Sequence, residues 1–460
     1  MRRALTLAVL STALSAACAS SHSVADAGMD GTRDAAAPDH RATDGADGDA
    51  GGGPTCQAVC SVRPLITAVL ERLGDHGHLE ILAAASSGSS SLRLLLSRTG
   101  TLPGSIPRFE PVWYRVDVDL AAGSVGPVVG GSGLPLSIGE PDSPIAAFDD
   151  AVVDGAGSAV TLIRPTGETP RGARSVRAVY LSWIGDELRR NDLGAIVTLP
   201  EEPGLWDGSL VQLPDGNLLA TIEYGGALHV ARITRAAGSV PEIMSSAELG
   251  PAGEPGLGMA ALSAGPAPDG HWALAGGGTA QGASRAAFAA LAGPGGVVWM
   301  EPFGGSLSDP PPQVVGGADG AWAVRWEQNA ADIQDTSVVV RPFDSSGLGP
   351  PLRVSTAPVP LPLQARLLRS EAVTYAFWNV RAPDDFSDGL VHVVLFGASD
   401  ECPATQVQRL ARLPGGTPEP ASIYALTLDS KVLLLSLAAL DDGHSELSAL
   451  RVSCSVASGG

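Results

Sequence analysis

Residues 313–355 read QVVGGADGAWAVRWEQNAADIQDTSVVVRPFDSSGLGPPLRVS. A short apolar run enters Asp319-Gly320, a dipeptide suited to a tight hairpin turn because Asp and Gly tolerate positive φ. Ala-Trp-Ala-Val-Arg-Trp (321–326) follows, and then a polar loop runs to Asp335. Val-Val-Val-Arg-Pro-Phe-Asp (338–344) gives a third run, Ser345-Ser-Gly347 another turn, and Gly-Pro-Pro-Leu-Arg-Val-Ser (349–355) a fourth run. Four short strands joined by turns form one meander, which cannot bury both of its faces by itself.

The same reading recurs from about residue 112 to the end, every 55 residues or so. Third strands are expected at Trp113–Leu120, Ser175–Ile184, Leu228–Ile233, Arg285–Leu291, Ser337–Phe343, Leu390–Phe396 and Glu446–Cys454. The glycines that follow the first five (Gly123, Gly185, Gly238, Gly293, Gly347) are spaced 62, 53, 55 and 54 residues apart. Units of four strands repeated at this period predict an all-β fold, a seven-bladed β-propeller, with six or eight blades also compatible. The first unit is the least regular, because Ala83–Pro111 places an extra apolar run, Leu92–Leu96, in a Ser- and Pro-rich loop.

The seventh unit offers only three strands, Ile423–Leu428, Val432–Leu437 and Glu446–Cys454. An open ring would leave an unpaired edge, so Gln57–Val62 is expected to supply the fourth strand and close the circle. Cys56 or Cys60 would then lie beside Cys454, and Cys402 could take the other. Four Cys in an exported chain allow three pairings. The Cys56-x3-Cys60 spacing lacks the two-residue gap of zinc knuckles and thioredoxin motifs, and no His lies near it.

An Asp-Gly turn, a Trp-bearing strand, an apolar strand with Arg and then "x-x-Gly-x-x-x-Pro" run through Asp319–Ser355. The turn and the Arg232 strand of Asp215–Met244 match in part. This repeat resembles one common in large surface proteins of myxobacteria and related bacteria. The resemblance implies a propeller-like fold and a cell-surface address, with no activity attached. The Asp-box of sialidases, the Gly-Gly pairs of kelch blades and the Trp-Asp pairs of WD40 blades do not recur in the sequence.

Upstream, Met1-Arg2-Arg3 is basic and Leu5–Ala17 is apolar, the pattern of a secretory signal and too short for a spanning helix. Leu14-Ser-Ala-Ala-Cys18 resembles a bacterial lipobox, with Cys18 as the lipidated residue. The usual leucine position holds Ser15, and ordinary cleavage after Ala17-Cys-Ala19 is the competing reading. Residues 1–17 are thus read as a lipoprotein signal and 18–55 as an Asp/Ala/Gly-rich tether, with 56–460 as the propeller. Seven Asp, two Arg and no aromatic residue between Ala19 and Thr55 cannot offset the ordering entropy of a core. Asp44, Asp47 and Asp49 do not make a calcium loop, because the closing Glu counted from Asp47 is Ala58.

Residues 56–460 carry 42 acidic and 25 basic side chains, a net of −17. Such a domain gains nothing from a polyphosphate field and is repelled by anionic lipid, so nucleic acid is excluded as a partner and membrane contact is expected only through the lipid. Lys431 is the single lysine. Asp occupies six expected first-to-second-strand turns, at Asp75, Asp154, Asp215, Asp269, Asp319 and Asp429, with Ser370-Glu371 in the remaining one. A ring of carboxylates could hold a cation, but turn chemistry accounts for the residues without one. His76 and His78 form a possible ligand pair, yet a structural zinc site needs four ligands and His271 belongs to a unit across the ring. No metal, cofactor or catalytic residue is therefore assigned. Gly-x-Ser-x-Gly, Ser-x-x-Lys, His-Glu-x-x-His and phosphate-loop motifs are absent from the sequence.

The strongest binding candidate is where two neighbouring second strands end, Trp326, Glu327 and Asn329 in one and Trp378, Asn379 and Arg381 in the next. Each leads into an acidic loop, Asp332 and Asp335 or Asp384, Asp385 and Asp388. An aromatic platform beside polar groups could hold a sugar ring or a peptide; the competing reading is packing between blades. These features predict a monomeric, lipid-anchored protein of the outer membrane or cell surface (or a soluble periplasmic or secreted form). Its expected role is non-enzymatic, binding or scaffolding an envelope protein or glycan. A glycan-active hydrolase or lyase is the alternative, as is a structural part of a larger complex.

Overall fold

A computed structural model describes residues 55–70, 78–99, 112–131, 145–165, 174–199, 206–224, 227–235, 239–251, 258–279, 285–304, 312–317, 320–329, 332–355, 359–360, 364–382, 388–399, 401–413, 422–440 and 444–457. The expected signal, Cys18 and tether lie outside them. The described residues are strands and their turns, with one 3-10 turn at Pro268–Gly270.

The stretch from Gln313 folds as its spelling suggests. Gln313–Gly317, Gly320–Asn329 and Asp332–Asp344 pair antiparallel, and the outer edge is broken into Gly347–Leu348, Leu352–Arg353 and Val359–Pro360. Pro350 and Pro351 explain the break, since proline cannot donate to a ladder and is tolerated only at an edge. The Arg of the third strand has a structural use here. Arg341 Nε donates to the Gly349 carbonyl at 2.7 Å and Nη2 to that of Leu348 at 3.2 Å, satisfying acceptors that the broken strand leaves open.

Among the described residues, such groups follow one another over 78–131, 145–199, 206–251, 258–304, 313–360, 364–413 and 422–457 completed by 55–70. The fold is a β-propeller. Among the described residues its core is divided into apolar clusters, each built from two neighbouring blades, and one of them joins the last blade to the first. The innermost strands also touch in a closed cycle.

Inner strands have one edge without a ladder partner, and polar side chains on several of them reach the backbone of the next blade. Asp150 Oδ2 accepts from Leu210 N–H at 3.1 Å and from the Ser209 hydroxyl at 2.8 Å. Ser263 Oγ accepts from Val314 N–H at 3.1 Å, Gln313 Nε2 donates to the Ala365 carbonyl at 3.5 Å, and Gln364 Oε1 accepts from Ile423 N–H at 2.6 Å. These bonds satisfy backbone groups that would otherwise be orphaned between blades.

The closing strand is longer than expected. Thr55–Leu70 runs antiparallel to Ser445–Ala457, from Gln57 opposite Ala457 to Leu70 opposite Ser445. Pro64, which reads as a stop after Val62, is absorbed by a shift of register between Pro64 and Ile66. The strand then continues and buries Ile66 and Leu70 between the last and first blades. Disulfides join Cys56 to Cys402 and Cys60 to Cys454, one to each of the two last blades. The Gln408 side chain also brackets Cys60, accepting from its N–H at 2.9 Å and donating to its carbonyl at 2.8 Å.

The first blade departs from expectation in one respect. Leu92–Leu96 is no loop insertion; it lies in Ser91–Thr99, the second strand of that blade, and Leu92, Leu94, Leu95 and Leu96 are buried on its two faces. The first-to-second-strand turn of this blade is therefore at 89–90, and His78 opens its first strand, His78–Gly88, opposite Thr99. Asp75 and His76 lie outside the described residues, as does Asp319.

Candidate functional site

The two expected anchors are core. Trp326 is 1% exposed and Trp378 0%, and their rings meet edge to face with centroids 6.0 Å apart. Trp378 also stacks on His392 at 5.6 Å, and Trp322 contacts Phe396 at 5.3 Å. The second strands of blades five and six thus interlock through their tryptophans, as the packing alternative has it, and neither indole offers a face to a ligand. Asn379 is buried too, its Oδ1 accepting from Gln364 N–H at 3.0 Å. Glu327, half-buried, bridges Arg325 and Arg353 at 3.2 and 3.1 Å. Arg381 is exposed, and the side chain of Asn329 lies outside the described residues.

The Asp-bearing turns show their local chemistry directly. Asp269 and Asp429 sit at φ 58° and 48°, and Glu371 at 56°. Burial, the largest single influence on Asp215, raises its pKa, but the bonds it accepts from the backbone and side chain of Asn217 and its pairing with Arg232 together outweigh this and hold the carboxyl below the ordinary carboxylate range. His271 turns back toward the Pro268 carbonyl at 3.3 Å.

One turn does more. Asp154 closes the first hairpin of blade two, where its Oδ1 accepts from Ser158 N–H at 2.9 Å and Gly157 takes the positive φ of 87°. The opposite wall is the end of blade three, where the strand Ala227–Ile233 runs on through Thr234 to Arg235, and Ser239 and Pro241 follow. Between them opens a cleft of about 460 Å³, with Tyr180 on its blade-two side and Gln212 and Gly216 at the blade-three turn. Apolar packing of Val152, Val160 and Tyr180 against blade three forms the floor.

Arg235 is the distinctive group in this cleft. It is half-buried, and no hydrogen bond or ion pair joins it to another described residue. Burial lowers its pKa from the ordinary guanidinium value, while nearby Asp154 and Tyr180 act to raise it. A half-buried guanidinium with no hydrogen-bond partner among the described residues has donors that a group from outside can satisfy. Sequence reasoning missed this site. Asp154 stood out only as a turn residue, and nothing near Arg235 or Tyr180 in the chain marks them, because the three come from two blades.

No protein-family model matches this chain, and no curated protein matches it. Solved structures are similar to this chain at low identity. An ulvan lyase of a new polysaccharide lyase family is 10% identical with a TM-score of 0.47, covering 82% of this chain and 95% of its own. A protein of unknown function from Dyadobacter fermentans is 12% identical with a TM-score of 0.46, covering 85% and 100%. Trypanosoma rangeli sialidase, in complex with sialic acid, is 11% identical with a TM-score of 0.36, covering 64% and 52%.

Proposed function

We propose that this chain is a cell-envelope lipoprotein whose propeller is a non-enzymatic binding module, and that the cleft between blades two and three is its ligand site. The observation that carries the reading is Arg235, without a hydrogen bond to any described residue, in a concave site beside Asp154 and Tyr180. A few polar groups converging in a partly apolar cleft are what fixes a ligand's orientation. Asp150, on an inner strand, is engaged by Ser209 and Leu210 in holding blades together.

Export is supported by two disulfides, which persist in oxidising compartments. No described helix is long and apolar enough to cross a membrane. Anchoring through Cys18 is the part of the reading that rests on sequence alone.

The test is to incubate the tagged, oxidised full chain with envelope extract from its own cells, and to analyse both what is captured and what is degraded. Capture of an intact glycan or protein that Arg235→Ala abolishes supports a binding module. Shortened glycan would instead make the protein a hydrolase or lyase and overturn the non-enzymatic reading.

A further inference from the structure

We infer that the cleft between blades two and three is a subsite for a carboxylate that carries neighbouring hydroxyl groups, with Arg235 as its cation and Asp154 as acceptor for a hydroxyl. This deepens the binding reading above and rests on it.

A guanidinium presents a planar fork of donors and no acceptor, which matches the two oxygens of a carboxylate or of a tetrahedral oxyanion. Asp154 decides between them. It lines the same cleft and lies near enough to act on the charge of Arg235. A monoanionic carboxylate neutralises Arg235 and leaves one negative charge in the site. A phosphate dianion would leave two, in a domain already at −17.

One oxygen of Asp154 is committed to its own turn through Ser158 N–H. The other can accept but cannot donate, so the ligand must bring a hydroxyl or similar donor close to its carboxylate. The Tyr180 hydroxyl can donate or accept on the same wall. A space of about 460 Å³ lies within the range of sites for small organic ligands. It admits either a free hydroxy acid or one sugar-acid unit of a chain.

The test is calorimetric titration of the full chain with gluconate, glucose, inorganic phosphate and a galacturonate trimer. Gluconate or the trimer is expected to bind, glucose not to bind, and phosphate to bind roughly tenfold more weakly. Tighter binding of the trimer identifies a chain-borne acid as the source; tighter binding of gluconate identifies a free one. Arg235→Gln is expected to weaken the acid about tenfold without changing the unfolding temperature, because Arg235 has no described partner to lose. Asp154→Asn keeps an acceptor for Ser158 N–H and removes the charge, and it is expected to strengthen phosphate about tenfold.

Phosphate binding as well as gluconate in the unaltered protein would overturn the inference, as would acid binding that Arg235→Gln leaves intact. If neither acid binds but envelope capture still depends on Arg235, the carboxylate assignment falls and the binding module stands. If capture fails as well, both fall.

Discussion

Gly316 shows how closely the inner strands approach. A Cβ there would sit 1.5 Å from the Pro266 carbonyl oxygen of the preceding blade, an overlap only backbone movement can relieve. Gly316→Ala is expected to destabilise the fold by about 2–3 kcal/mol, read by chemical denaturation. Gly123, with open space around its Cβ position, makes a useful comparison at a turn. Its positive φ of 66° limits the cost of substitution to backbone strain, so Gly123→Ala should cost the smaller amount, about 1 kcal/mol.

His392 supplies a second test at the level of single side chains. Burial against Trp378, with Arg409 adding repulsion, lowers its pKa from 6.5 to about 4. Between those values the unfolded chain binds the proton and the folded protein does not. Its stabilising contribution is therefore complete above pH 6.5 and lost as pH falls toward 4. The upper bound is about 3 kcal/mol. Denaturation midpoints measured from pH 7 to pH 4 should fall less steeply in His392→Phe, which keeps a ring on Trp378; an equal slope would show that His392 does not titrate in this window.

Among the strands, Thr55–Leu70 has a role none of the others shares. It completes the last blade, and each of its two disulfides spans most of the chain, 346 and 394 residues in sequence. Cross-links over long loops restrict the unfolded chain most, and loss of one is expected to cost about 2–5 kcal/mol. Cys60→Ser with Cys454→Ser should therefore lower the unfolding temperature clearly, although the ladder of Gln57–Leu70 remains. Deleting 55–70 should do more. It removes Ile66 and Leu70 from the last cluster and bares the edge of Ser445–Ala457, and size-exclusion chromatography should then show association through that edge. Non-reducing peptide mapping checks the pairings, and a Cys56–Cys60 peptide would contradict this closure.

The position of this strand follows from physics that a local reading of sequence could reach in part. The missing fourth strand of the last unit marks Gln57–Val62 as the strand that closes it, beside Cys454. Its continuation past Pro64 was hidden, because proline reads as a stop unless the strand lies at an edge, where a missing N–H costs little. Leu92–Leu96 was obscured for another reason: its Ser- and Pro-rich neighbours read as loop, although it pairs across the turn at 89–90 with Ile81–Ser86 and, farther along the chain, with Tyr114–Val118.

At the scale of the whole molecule, Thr55–Leu70 joins the start of the described residues directly to the last blades. Anchoring through Cys18 would hold the propeller by the strand that the disulfides lock. Cys18→Ser is expected to release the protein from the membrane fraction into the soluble fraction while leaving its unfolding temperature unchanged. Fractionation followed by mass spectrometry of the mature N-terminus checks this; an unmodified N-terminus in the parent protein would remove the lipid from the account.

Repeating units and turn chemistry were open to reading along the chain because each strand and hairpin is specified by residues close together. Alternating apolar positions, Asp-Gly turns and the period of the third strands are local signals, and they carry the all-β class and the propeller architecture. The fate of Trp326 and Trp378 was not local. Both the packed and the exposed reading satisfy the same strand pattern, and only the approach of blade six to blade five buries them. The cleft depended still more on tertiary structure. Asp154, Tyr180 and Arg235 come together from two blades, and whether an arginine finds a partner among the described residues is a property of the surroundings the fold builds around it, which no short stretch of sequence contains.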